Sequence, residues 1–242
     1  MTVARPAPMR SAATRLAGLL VLAGVLTGFM AAPVAAASPF VMDLYFSSGY
    51  ERQVDNRTCT AASVAMMLNF IARRDLGLDQ MAILRYEQPR DALSDAVQRG
   101  SDPLGWSRAL TYYSSRTGRS FVYDWEAHAT EAGALRRAAQ RIALTGRPVG
   151  LTISGGRHAV VMTGFEASAD PRLGAFTLTH VWISDPYGAS HTRYTVSSSP
   201  LDPYRELDAT PTYDQAWYGK HVIIVPRPDA GPLPVGGAVV SR

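Results

Sequence analysis

The chain has 242 residues, 47% of them apolar, with 24 basic and 20 acidic side chains and a formal net charge of +4. That apolar content excludes wholesale disorder, and the length suits one domain with a full core. Three of the basic residues, Arg5, Arg10 and Arg15, fall in the first 37 positions. The remainder carries 21 basic against 20 acidic side chains, or +1, with Lys220 as its only lysine and no basic stripe interleaved with aromatics, so nothing supports nucleic-acid binding.

The three arginines precede the apolar run Leu16 to Met30 and the small-residue site Ala35-Ala36-Ala37, the pattern of an export signal cleaved after Ala37. No cysteine sits near that site, which excludes lipid anchoring there, and no paired arginines mark the twin-arginine route. Residues 16–37 carry no charge and are long enough to span a bilayer, so an uncleaved anchor is the alternative. The expectation is a secreted or extracytoplasmic chain of 205 residues with no stable membrane association.

Four helices come first. Thr58 to Arg73 has almost no polar face (Ala61, Ala62, Val64, Ala65, Met66, Met67, Leu68, Phe70, Ile71), so it is predicted to be central and buried. Asp79 to Glu87, Pro103 to Arg116 and Thr130 to Thr145 follow, with Pro103 suited to a first turn and Gly146 and Pro148 supplying a stop. Strands are predicted at Val149 to Ile153, His158 to Phe165, Phe176 to Ser184, Thr192 to Val196 and His221 to Val225. Helices before strands, with well-marked turns, give an α+β class with antiparallel pairing. No internal repeat is visible, and the Pro/Gly-rich stretch 226–242 reads as a mobile tail.

The chain's one cysteine, Cys59, opens the buried helix. A lone cysteine forms no internal disulfide, and in an exported protein a free thiol is a liability unless it is buried or used. A thiol in the first turn of a helix faces the positive end of the macrodipole, which favours thiolate. Downstream, a hairpin turning around Asp170 to Arg172 sets residues whose numbers sum to about 342 opposite each other. His158 then lies across from Ser184 or Asp185, within reach of a carboxylate; only an odd offset puts His158 and Asp185 on one face, and in that case His180 and Trp182 point to the other. A nucleophile, a base and a carboxylate that orients the base are what thiol catalysis needs, and the backbone N–H of Cys59 and the amide of Gln53 suit an oxyanion.

These motifs resemble a known family. Gln53 lies six residues before Cys59, the papain-like spacing, and Cys59-Thr-Ala-Ala-Ser-Val-Ala-Met-Met-Leu68 is similar to the nucleophile helix of the bacterial double-glycine peptidase-like branch of papain-like cysteine peptidases. Pro148-Val149, then His158-Ala-Val-Val-Met-Thr-Gly164-Phe165, then Ile183-Ser-Asp185-Pro186-Tyr-Gly188 and Trp217 to Val225 resemble its later strands and its Asp-Pro turn. The resemblance implies a papain-like fold with Cys59 as nucleophile, His158 as general base and acid, Asp185 as orienting residue and Gln53 in the oxyanion hole. It covers roughly 53–68 and 146–225 and leaves 75–128 unmatched. Where the branch's best-known members have Gly-Pro after the cysteine and Gly-Gly after the Asp-Pro turn, this chain has Thr60-Ala61 and Gly188-Ala189. Those members, which cut leader peptides after a double glycine, are fused to an exporter. With no P-loop or membrane domain here, that substrate does not transfer.

Each residue also has a bland reading: Cys59 as a small hydrophobe, His158 as a satisfied strand histidine, Asp185 as a turn cap. Their joint occurrence in this order favours chemistry. His180, His191 and His221 read as structural, no metal-ligand spacing is present, and no cofactor is expected. Asn56-Arg57-Thr58 is a chance glycosylation match, Met66 and Met67 are core filler, and Trp106, Tyr112 and Tyr113 are candidates for a cleft wall. The expectation is an exported cysteine hydrolase acting on a peptide or protein amide. Acyl transfer on the same site and a noncatalytic binding module are the alternatives.

Overall fold

Antiparallel pairing holds throughout one seven-stranded sheet in the computed structural model, which describes residues 38–92, 100–206 and 211–228. The elements run β1 (Phe40–Asp43), α1 (Cys59–Ala72), α2 (Gln80–Glu87), α3 (Pro103–Tyr113), β2 (Tyr123–His128), α4 (Glu131–Thr145), β3 (Val149–Ile153), β4 (His158–Ala167), β5 (Leu178–Ser184), β6 (Thr192–Thr195), α5 (Pro211–Trp217) and β7 (His221–Pro226). The sheet order is β2-β7-β3-β4-β5-β6, with β1 also pairing with β4. The export-signal segment 1–37 and residues 229–242 of the tail lie outside the described residues.

The helices begin where the sequence supplies caps. Asp79 accepts from the Met81 N–H, Asp102 from the N–H groups of Leu104 and Gly105, and Thr130 from that of Gly133. Gly146, at φ +64°, closes α4 in the left-handed conformation that glycine adopts without strain. Helix α1 is buried from Cys59 to Phe70, as its missing polar face requires.

The sheet is covered on both faces, and period-two alternation sorts its side chains. Val160, Met162, Ile223 and Val225 join the core under α4, whereas Ala159, Val161 and Ile224 join the core under α1 and α3. Two glycines allow close approaches. A Cβ on Gly150 would meet the Trp106 ring at 2.4 Å, and one on Gly164 would meet the Met42 carbonyl oxygen at 2.4 Å, so α3 and β1 seat where a side chain is missing.

Three expectations need correction. Strands β1 and β2 precede helices, so the order is not helices first; β1 has only four residues, and β2 reads Tyr-Asp-Trp-Glu-Ala-His, an alternation that stands beside α3 as an outer strand of the sheet. Helix α3 ends at Tyr113, and a tighter turn over Ser114–Thr117 closes at Gly118. The β4–β5 register is shifted, with Val161 opposite Ser184 and Gly164 opposite Trp182 across two irregularities. The connection closes with Ser168 N–H bonding the Thr177 carbonyl, which moves its apex past Arg172. Trp182 therefore lies on the α1 side, stacked with His191, itself stacked on Tyr45.

Candidate active site

Cys59 is the first residue of α1 and is 8% exposed. Thr58 ahead of it does not cap the helix. Its hydroxyl turns back to donate to the Asp55 carbonyl at 3.2 Å, in a turn that Asp55 also holds by accepting from the Arg57 N–H at 2.9 Å. The first-turn N–H groups thus keep their positive end toward the thiol.

The partner comes from the sheet. His158 opens β4, and its Nε2 lies 2.7 Å from Oδ1 of Asp185, just past the end of β5. Cys59 lines the same cavity as His158, near enough for its side chain to act on the ring. Burial pushes the imidazolium toward losing its proton, but the bond to Asp185 and the neighbouring Cys59 side chain outweigh it and raise His158 to about 9. Asp185 is moved the other way: burial raises it, and the His158 bond and the Tyr187 N–H, which donates to Oδ1 at 2.8 Å, bring it below the ordinary carboxylate range.

The Asp185 turn is tied down from several directions. The Tyr50 hydroxyl donates to the Asp185 carbonyl at 2.9 Å, Gln53 N–H donates to the Pro186 carbonyl at 2.9 Å, and Asp185 N–H donates to the Ala189 carbonyl at 2.7 Å. Gln53 is therefore bonded through its backbone to the turn that carries the carboxylate. Its side-chain amide donates to the Asp55 carbonyl at 2.7 Å through one N–H, leaving the second, while its Oε1 is buried without a partner. Gln80, at the start of α2, grips the backbone on either side of Gln53. It accepts from the Val54 N–H at 3.0 Å and donates to the Arg52 carbonyl at 2.8 Å.

Sequence reasoning singled out neither Tyr50 nor Gln80, since a tyrosine in a loop and a glutamine opening a helix carry no spacing signal. It also missed the carboxyls beneath the first turn of α1. Thr60 donates to Glu87 at 2.9 Å, and Glu87 is wholly buried. Desolvation raises it to about 8, with the Thr60 bond opposing and Asp102 adding repulsion. Desolvation and the charge of Asp102 likewise push Asp91 up.

A cavity of about 290 Å³ opens beside Cys59 and His158, between the start of α3 and the sheet, with Trp106 on its wall. Tyr112 instead stacks on Tyr86, and Tyr113 meets Tyr86 edge-on, elsewhere on α2 and α3. His180 pairs with Glu166 at 3.4 Å, His191 pairs with Asp43 at 2.8 Å, and His221 is buried. Among the described residues no three His, Cys, Asp or Glu side chains are grouped to hold a metal ion, and no helix is long and apolar enough to cross a membrane.

A thiol at a helix start, beside an imidazole that a carboxylate orients, is an arrangement for nucleophilic attack with proton return. The model of the family described as Peptidase_C39 like matches residues 48–206, a span that holds all four residues named from the sequence. No curated protein matches the chain.

Proposed function

Because the chain belongs to the peptidase C39-like family, and with it to the papain-like cysteine peptidases, we propose that it is an exported cysteine hydrolase cleaving a peptide or related amide bond through Cys59. The observation that carries this reading is the His158 imidazole, held by Asp185 at 2.7 Å on Nε2 and lining one cavity with the Cys59 thiol.

The chemistry follows from that geometry. His158 holds the thiol proton as imidazolium, and the thiolate sulfur attacks the amide carbonyl. The oxyanion gathers at the Cys59 N–H and the free N–H of the Gln53 amide. His158 then gives its proton to the departing amine as the tetrahedral adduct collapses to a thioester, and takes one from the water that hydrolyses it. Asp185 stays ionised and keeps the ring in one tautomer, which its lowered pKa supports. An amine in place of water would turn the same thioester to acyl transfer.

The test is to expose a mixed peptide library to the chain from Ser38 onward and to its Cys59→Ala variant, and read both product halves by mass spectrometry. New N-termini matched by new C-terminal carboxylates, made only by the wild-type thiol, support hydrolysis. New N-termini whose acyl halves are recovered as amides of an added amine, with faster turnover as that amine is supplied, would replace hydrolysis by transfer.

A further inference from the structure

Strand β7 ends at Pro226, and the chain leaves the fold beside an open aromatic groove. The groove lies between α2, α3 and β2, has a volume of about 620 Å³, and counts Tyr86, Arg90, Arg108, Tyr112, Val122 and Trp125 among its walls. Its most exposed ring is held in place. Tyr112 is 59% exposed, yet it stacks on Tyr86 at 4.2 Å and meets Tyr113 edge-on at 5.0 Å, while the Arg90 guanidinium lies 3.7 Å from the Tyr86 centroid. A large ring already fixed while more than half exposed offers apolar contact at little cost in side-chain entropy.

The tail starts at this groove. Arg227 N–H donates to the Val122 carbonyl at 2.9 Å and its guanidinium pairs with Asp124, and both partners line the groove. One residue further along β2, the N–H and carbonyl of Tyr123 bond the Thr111 hydroxyl at 3.0 Å and 3.3 Å, and Tyr112 is the next residue of α3. The root of the tail is therefore a few residue lengths from Tyr112, and the seven residues from Asp229 to Val235 can reach ~22 Å at ~3.1 Å each.

Composition and charge fit the same place. The segment reads Asp-Ala-Gly-Pro-Leu-Pro-Val, one acid followed by two prolines around a leucine. Prolines pre-set an extended left-handed helix, which docks on aromatic-lined grooves with little ordering left to do. Arg108 is exposed, donates to the Arg90 carbonyl at 2.9 Å and has no carboxylate partner among the described residues, so an acid arriving in the groove finds it unpaired.

We propose that this groove is the seat of the chain's own segment Asp229 to Val235, with Pro232, Leu233 and Pro234 against Tyr112 and Trp125 and the Asp229 carboxylate on Arg108. The stretch that composition marks as a mobile tail is then held at its root, and the groove is covered in cis. A segment tethered this closely meets the groove at an effective concentration of ~1 mM, so a dissociation constant of about 0.5 mM seats it about two-thirds of the time and protects it about threefold from cleavage. That factor is ~0.65 kcal/mol, or about 2 °C in melting temperature, so protease protection is the sensitive readout.

The test uses the chain from Ser38 to Arg242 carrying Cys59→Ala, so that no activity of its own intervenes. Elastase cleavage after Val235 is followed by intact mass, with cleavage after Val239, outside the segment, as the internal control. The expected result is cleavage after Val235 at least threefold faster in Tyr112→Ser and in Arg108→Glu than in the parent, at unchanged cleavage after Val239, and restored protection when Asp229→Arg is added to Arg108→Glu. Both substituted wall residues are exposed, so the variants keep the fold, which their melting curves check. Equal rates in the parent and Tyr112→Ser overturn the seat. A rate in Arg108→Glu equal to the parent's, or one that Asp229→Arg leaves unrestored, overturns the charge contact and the placement built on it. Protection that grows with protein concentration assigns the groove to the tail of a second copy and overturns docking in cis. None of these readouts depends on the reactivity of Cys59, so this inference and the catalytic reading stand or fall separately.

Discussion

Burial alone would strip His158 of its proton, yet Asp185 bonded to its Nε2 and Cys59 nearby raise it to about 9. A histidine whose folded pKa lies above its ordinary value of ~6.5 adds stability that is fully present below that value and lost as pH rises through about 9. Glu87 adds to the same slope: raised to about 8 by desolvation, it keeps its proton in the folded protein over a range where the unfolded chain has lost it. Melting temperature is therefore expected to fall between pH 5 and pH 9. In Glu87→Gln the fall between about pH 4.5 and 8 should become shallower, His158 and Asp91 supplying what remains; an unchanged slope would show that Glu87 is ionised when folded. Asp185, held low, acts on the acid side, where its contribution is lost as pH falls through its depressed pKa. Tyr50 and Gln80 touch no reacting atom and are positioning residues. Tyr50→Phe deletes one bond to the Asp185 carbonyl, worth ~1 kcal/mol, and Gln80→Ala leaves the Arg52 carbonyl and Val54 N–H without their partner. Both variants are expected to lower kcat severalfold with little change in KM, and a change confined to KM would contradict the role given to them.

At the scale of elements, the sequence was legible where periodicity and caps agree. Helix α1 declared itself by the absence of a polar face, α2 and α4 by Asp79 and Thr130, and β3, β4 and β7 by apolar runs between turn residues. What escaped is short or depends on distant partners. Strand β1 is four residues whose pairing with β4 exists because Gly164 lets two backbones approach. The β4–β5 register shifted because the loop closes at Ser168 and Thr177 and the ladder slips twice, which no count from a turn centre anticipates. The approach of His158 to Asp185 survived that error because Asp185 sits past the strand and reaches back through its side chain. Gly164→Ala would press a methyl against the Met42 carbonyl and is expected to cost ~1–3 kcal/mol in urea unfolding, the usual range for overpacking; a loss under 0.5 kcal/mol would show that β1 is free to shift.

At the scale of the molecule, the thiol comes from the helical half and the imidazole and carboxylate from the sheet half, so the pair exists only when α1 is seated against β4. Among the described residues both apolar layers are built from positions between Phe40 and Val225. A chain of residues 38–228 is therefore expected to melt within about 2 °C of one extending to Arg242, and a drop of 10 °C would place part of the core outside it. The most direct test of the account is the rate of Cys59 alkylation by iodoacetamide against pH, in the wild-type chain from Ser38 and in His158→Ala. The account predicts substantial reaction below pH 7 that the variant loses, the mark of a thiolate–imidazolium pair. If both react only as pH approaches ~8.5, as an ordinary thiol does, or only after unfolding, the pair does not form and the catalytic reading falls.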